Sequence, residues 1–311
     1  MLSLCSTYWQ ALLAQGFCIG IGAGALFTPS LAVLPTYFTT RLGLAMGLAA
    51  SGSSFGGVIY PIVFYRIIGQ IGFGWAVRVL GFIALATSLV PVALLRPRVA
   101  PSRVRAFVDW TLFTDVPFMV FVAGAIVGFA GLYVFLFYQS YYGEATGLTD
   151  PSLSFYLVPI LNAASMFGRT LPNALSDRTG PLNIIIPGAF ACAALLFCTQ
   201  AASSTASLVV IVVLFGFFSG VFIALPPVIM VVLTKDKSKI GTRIGMGFAM
   251  LALGTLAGGP AAGGVLNPSG GANDNNWTAL WCYGGAVMTA AGLVFTGLRC
   301  WLHGVKLMVW A

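Results

Sequence analysis

The chain has 311 residues, 59% hydrophobic and only 7% charged, with a net charge of +8 and a mean hydropathy of +0.97. An ordinary globular domain carries about 25% charged residues, so this composition excludes a soluble domain and indicates a polytopic membrane protein in a lipid bilayer. It also excludes nucleic acid as the reason for the basic excess, because the lysines and arginines sit in short loops between apolar runs, where they report orientation.

Nine segments are long and apolar enough to span, at about 12–38, 44–64, 79–95, 116–138, 155–175, 184–202, 206–233, 244–266 and 277–298. Helices are the structure that fits them. An open sheet would leave unpaired backbone groups in lipid, and a closed barrel needs short alternating strands rather than continuous apolar runs. The expected fold class is an all-α membrane protein. Its first segment, uncharged from Met1 to Thr40, is expected to be a span and not a cleavable signal.

The loops test this count. Alternate loops and the C-terminus receive Arg41, then Arg96, Arg98, Arg103 and Arg105, then Arg178, then Lys235, Lys237, Lys239 and Arg243, then Arg299 and Lys306. The opposite loops receive Arg66 and Arg78, beside Glu144, Asp150 and Asp274. This bias places the first set in the cytoplasm and Met1 outside.

The charged stretch 97–115 is the one long linker, and it divides a three-helix part, 1–96, from a six-helix bundle with a cytoplasmic tail, 116–311. A weak repeat relates the parts: Pro29, Arg41, Gly47 and Pro61 in the first match Pro226, Arg243, Gly247 and Pro260 in the second. Gly16, Gly20 and Gly24 form two GxxxG steps, and the run from Gly254 to Gly264 is also rich in small residues, so close helix approach is expected at both.

The segment from Phe155 to Gly180 holds the anomaly. Arg169 sits in an otherwise apolar span, roughly 12 Å from the charged pair Asp177 and Arg178 if the span is helical. Asn162, Ser165, Arg169 and Asn173 share one helical face. An arginine near the bilayer centre costs about 2.5 to 3.5 kcal/mol, so such a side chain faces a bundle interior or a wet cavity. The stripe reads as lining a solute path; the bland alternative is that Arg169 snorkels to the headgroups or pins two helices together. Tyr133 and Phe137, one turn apart in the fourth span, line a solute cavity or belong with Tyr138, Tyr141 and Tyr142 to an interfacial aromatic belt.

Catalytic patterns are missing or inert. Gly52 to Gly56 matches GxSxG, but it lies in mid-span, and the one histidine, His303, is near the cytoplasmic end. There is no HExxH, and the carboxylates lie almost wholly in loops. The Gly-Ile-Gly-Ala-Gly string follows no strand, so it is not a phosphate loop. The six cysteines show no CxxC spacing and read as small hydrophobes. Asn276-Trp277-Thr278 is a glycosylation sequon close to the membrane. No cofactor or metal site is expected, and transport is favoured over enzymatic function.

Tyr37 to Gly52 resembles the signature at the junction of the fourth and fifth helices of monocarboxylate-porter-like members of the major facilitator superfamily, especially the fungal branch, with Thr40 where lysine is usual and Ser51 where alanine is usual. Asn173 to Gly180 is similar to the superfamily's cytoplasmic loop motif in its second-half copy, with Asn173 in place of glycine. The resemblance implies that the nine spans correspond to helices four to twelve of that fold. It further implies alternating access between two bundles, with a small organic solute held between them and often a proton moved alongside. Arg169 matches the arginine that carboxylate-carrying relatives use for the solute's negative end, while Ser165 stands where those relatives place an aspartate. Arg41, Asp177, Arg178 and Gly180 are then expected to act in the conformational change.

The function expected on this basis is secondary transport of a monocarboxylate or other organic anion, at the plasma membrane in preference to the vacuole. Helices one to three of the fold have no counterpart in these residues. The further expectation is therefore that the missing helices precede Met1 or that the chain is a remnant, kept by a membrane partner, that does not transport alone.

Overall fold

A computed structural model of the chain describes residues 2–94, 107–268 and 275–304. Its long elements are all helices. Helix α1 runs over Tyr8–Tyr37, with the stretch Leu12–Cys18 wound as π-helix. A single helical run, Leu42–Leu94, follows, broken at Gly72, where φ is 73° and ψ is 167°. Only glycine adopts that backbone without strain, so we number residues 42–71 as α2 and 73–94 as α3. The bundle continues with α4 (Val116–Ala145), α5 (Pro151–Thr179), α6 (Pro181–Thr199), α7 (Thr205–Leu233), α8 (Ile240–Leu266) and α9 (Trp277–His303).

Local chemistry sets the helix starts. Pro151 and Pro181 stand in the first turns of α5 and α6, where a missing N–H leaves no hydrogen bond unmade. Ser204 and Ser207 form a reciprocal cap at α7, and Asn276 accepts from the Ala279 N–H at 2.9 Å to start α9. The region between the second and third spans, expected as a loop, remains helical on both sides of Gly72. Arg78 is thereby held on α3, donating to Ser3 Oγ at 3.2 Å and lying 4.8 Å from the Trp75 ring.

Among the described residues seven helical stretches are long and apolar enough to cross a membrane, with Leu42–Leu94 counted once. Helix α5 is outside that set because its polar stripe and charged end dilute the apolar run. The protein is thus an all-helical, multi-pass membrane protein. Its contacts sort by end. One end joins Gly43 to Asp177, Asp109 to Arg243 and Asn183 to Arg299, whereas the other joins Tyr65 to Phe155 and Tyr141 to Trp277.

The core lies in α4–α9. Phe135 stacks on Phe215 with ring centroids 4.1 Å apart and packs against Trp281, while Phe121, Phe222 and Phe295 fill a second layer. Lipid tails are as apolar as these side chains, so dispersion and close approach hold such helices together more than exclusion from water. Gly254 and Gly258 of α8 supply the close approach, since a Cβ on Gly258 would stand 2.6 Å from the Ala130 carbonyl oxygen of α4. The other small-residue run behaves differently: Gly20 and Gly24 have no such neighbour within 4 Å. Helices α1–α3 lie largely outside this core, and α2 reaches the bundle chiefly through α5.

Candidate functional site

The seam between α2 and α5 is built from small residues on one side and polar residues on the other. Gly43, Gly47, Ala50 and Gly57 recur at helical spacing on α2. Opposite them stand Asp177, Asn173, Arg169 and Asn162 of α5. A Cβ on Gly47 would overlap the Arg169 carbonyl oxygen and stand 2.8 Å from Asn173 Nδ2; one on Gly57 would stand 2.6 Å from Asn162 Cγ. The helices therefore cross almost backbone to backbone, and the seam can exist only where α2 lacks side-chain bulk.

Arg169 leaves this seam at mid-depth and points toward a cavity, with 7% of its surface exposed. Its Nε donates to Ser165 Oγ, one turn earlier, at 3.3 Å. Its Nη1 donates across the seam to the Ala50 carbonyl oxygen at 2.9 Å and to Ser53 Oγ. Its Nη2 has no hydrogen bond among the described residues. Nor does any described carboxylate pair with it, since the ion pairs among the described residues all lie on Arg243 and Lys239. Three neutral oxygens therefore solvate a full positive charge, an arrangement that favours an incoming anion.

The cavity holds about 390 Å³ and lies between α1 and α2 on one side and α4, α5, α7 and α8 on the other. Phe27, Leu31, Phe129, Ile223, Phe248 and Leu251 make its wall mostly apolar, with polar groups from Ser30, Ser53, Tyr133, Thr255 and Arg169. Phe27 of α1 meets Phe248 of α8 edge to face, with centroids 5.0 Å apart, and the two walls touch there. Tyr133 of α4 and Thr255 of α8 both belong to this lining.

The residues singled out by sequence take distinct places. Arg169 and Tyr133 line the cavity. Ser165 holds the Arg169 Nε and abuts Gly220 of α7. Asn162 donates to the Val158 carbonyl at 3.0 Å and fills the seam at Gly57. Asn173 is fully buried against Gly47, with neither amide atom hydrogen-bonded. Phe137, 54% exposed, leans on Gly259 of α8, outside the cavity lining. Sequence reading missed Ser30, Ser53 and Thr255, which resemble any small polar residue in a span. The one signal near Ser53 was the GxSxG match over Gly52 to Gly56, whose motif serine is Ser54: inert as a nucleophile site, it still marks where α2 is small and polar.

At one end of the seam the Asp177 carboxylate accepts from the Gly43 N–H at 2.6 Å and the Leu44 N–H at 3.0 Å, capping α2 from another helix. The positive end of a helix dipole stabilises a carboxylate there. Arg41 and Arg178 are exposed, and Gly180, with φ 88°, turns the chain from α5 into α6. A second cluster joins the linker to α8: Arg243 pairs with Asp109 at 3.1 Å and Asp115 at 2.7 Å, and Lys239 reaches Asp109 at 3.0 Å. Burial opposes the Asp109 charge, but bonds from Thr111, Lys239 and Arg243 outweigh it and hold the carboxyl well below the usual range.

Helices long and apolar enough to span a membrane surround a cavity whose wall carries one cation without a carboxylate partner among the described residues. Residues 1–237 match the Major Facilitator Superfamily, and the chain belongs to that family. It is 58% identical over 294 residues to the MFS-type transporter dbaD of Emericella nidulans, a match covering 94% of this chain and 66% of the relative. It is 35% identical over 300 residues to the aspyridones efflux protein apdF of the same organism, covering 96% of this chain and 60% of the relative. To the MFS-type transporter pynF of Aspergillus niger it is 33% identical over 298 residues. The chain thus spans 60 to 66% of the length of the first two relatives.

Proposed function

We propose that this chain forms the solute path of a secondary transporter for apolar organic anions, working by alternating access with Arg169 as the anion's partner. The observation that carries the reading is the free Nη2 of a guanidinium on the cavity wall, without a carboxylate partner among the described residues. The apolar remainder of the lining suits an aromatic or aliphatic body attached to one acidic group. Kinship with an aspyridones efflux protein favours export, and the branch resembling monocarboxylate porters favours a carboxylate. Ser165 stands beside the arginine in place of an acid, which argues against proton coupling at this point of α5.

In this proposal α1–α9 make nine crossings that correspond to helices four to twelve of the superfamily, in the plasma membrane. The α2–α5 seam, capped by Asp177, serves as the inner gate. A second reading, a chain that does not transport by itself, is favoured by the small part of α1–α3 that enters the core. Uptake of radiolabelled benzoate by proteoliposomes holding the wild-type chain or Arg169→Gln at equal abundance tests both. Uptake that depends on Arg169 supports the first reading, equal uptake removes the site, and no uptake by either chain supports the second.

A further inference from the structure

The arginine that faces the cavity is also tied across it. We propose that the Ala50 carbonyl and Ser53 hydroxyl of α2 are a resting seat for the Arg169 guanidinium, which a bound anion must displace, so that loading the site unties α2 from α5. This rests on Arg169 being the anion's partner.

The geometry is specific about roles. Ser53 Oγ donates to the Ala50 carbonyl at 2.9 Å and accepts from Arg169 Nη1, while the same carbonyl accepts from Nη1 at 2.9 Å. The serine proton is thus committed within α2 and its lone pair to the guanidinium. In this state Ser53 competes with an anion for Nη1 and has no donor to offer one. A carboxylate is the stronger acceptor and binds the guanidinium fork through two parallel bonds. Taking both Nη1 and Nη2 would give the anion that geometry and would leave Ser53 and Ala50 to each other.

The seat sits where the two halves of the chain meet. Ala50 and Ser53 belong to α2 and Arg169 to α5, 119 and 116 residues away, on helices drawn together at Gly47 and Gly57. Nearer the cytoplasm the Asp177 cap closes the same seam with no contact to the cavity. Of these two ties, the anion can reach only the one at Ser53. Ser53 is therefore a positioning residue that sets how tightly the empty carrier is held.

The test is titration of the purified 311-residue chain in nanodiscs with benzoate, and with benzyl alcohol as the neutral control. Removing a competitor strengthens binding, so Ser53→Ala should bind benzoate about two- to ten-fold more tightly than wild type, as expected for one lost hydrogen bond. Ser53→Thr should return wild-type affinity, and benzyl alcohol should not distinguish the three proteins. Unchanged or weaker benzoate binding by Ser53→Ala overturns the seat and makes Ser53 a packing residue or a ligand of the anion. Should Ser53→Ala not fold, Ser53→Cys, a poorer acceptor of similar size, should bind more tightly than wild type, and equal or weaker binding again overturns the seat. Arg169→Gln separates the levels: loss of benzoate binding there with no effect at Ser53 removes only the seat, whereas retained binding removes the anion site itself.

Discussion

Asp177 caps a helix other than its own: its carboxylate accepts the Gly43 and Leu44 N–H groups at 2.6 and 3.0 Å, closing one end of the α2–α5 seam across more than 130 residues of chain. Each oxygen takes one of the amides that the start of α2 leaves unpaired. The contact adds charge–dipole attraction to a crossing otherwise held by van der Waals packing and by the Arg169 hydrogen bonds to Ala50 and Ser53, and it sits where an inner gate would have to part.

Asp177→Asn keeps the shape of this cap but removes its charge. An interaction of this kind contributes about 0.3 to 1 kcal/mol. The seam should open more often, and a cysteine at the buried position Ser176, introduced as Ser176→Cys in a background lacking the native cysteines, should react with a membrane-impermeant maleimide from the cytoplasmic side about two- to five-fold faster. An unchanged labelling rate would remove Asp177 from the gate.

Bulk should separate Gly47 from Gly20. Gly47→Ala places a methyl against the Arg169 carbonyl and the Asn173 side chain, whereas Gly20→Ala meets nothing within 4 Å. Overpacking a tight contact costs about 1 to 3 kcal/mol, so Gly47→Ala should lower the melting temperature by several degrees while Gly20→Ala leaves it near wild type. Thermal denaturation in detergent measures both, and equal effects would contradict the seam.

Lysine should not replace Arg169. Its ammonium is a point charge without the planar fork, so it cannot hold Ser165, face α2 and present a donor to an anion together. Arg169→Lys should weaken benzoate binding about ten-fold or more, with Arg169→Gln weaker still. Wild-type affinity in the lysine variant would mean that charge alone suffices.

The Asp109 cluster should respond to acid with a definite sign. Its folded carboxyl is held below the usual range, burial being outweighed by hydrogen bonds from Thr111, Lys239 and Arg243. Its contribution is thus fully present above the unfolded value of about 4 and is lost as pH falls below that. At pH 7 Asp109→Asn should melt below wild type, and the gap should narrow on acidification below about pH 4. A gap that stays constant between pH 7 and pH 3 would show that the charge carries no stability.

The helices were legible because spanning lipid leaves the sequence few options: long apolar runs, proline or a capping side chain at their starts, and cations collected in alternate loops. Arg169 was legible for the same reason, since a guanidinium in such a run stands out without any knowledge of its neighbours. What it touches was not. Ser53 and Thr255 look like any other small polar residues in a span, and nothing local says that α2 turns Ala50 and Ser53 toward α5. Asn162 and Asn173 share a face with Arg169, yet the crossing at Gly47 and Gly57 presses them into a seam and leaves only the arginine to reach the cavity. Periodicity identifies the face of a helix, and the closeness of its neighbour decides whether that face meets solute or protein. The pairing of Asp109 with Arg243, 134 residues apart, belongs to the same class: composition determined that such charges sit outside the membrane, and only the fold decided which of them meet.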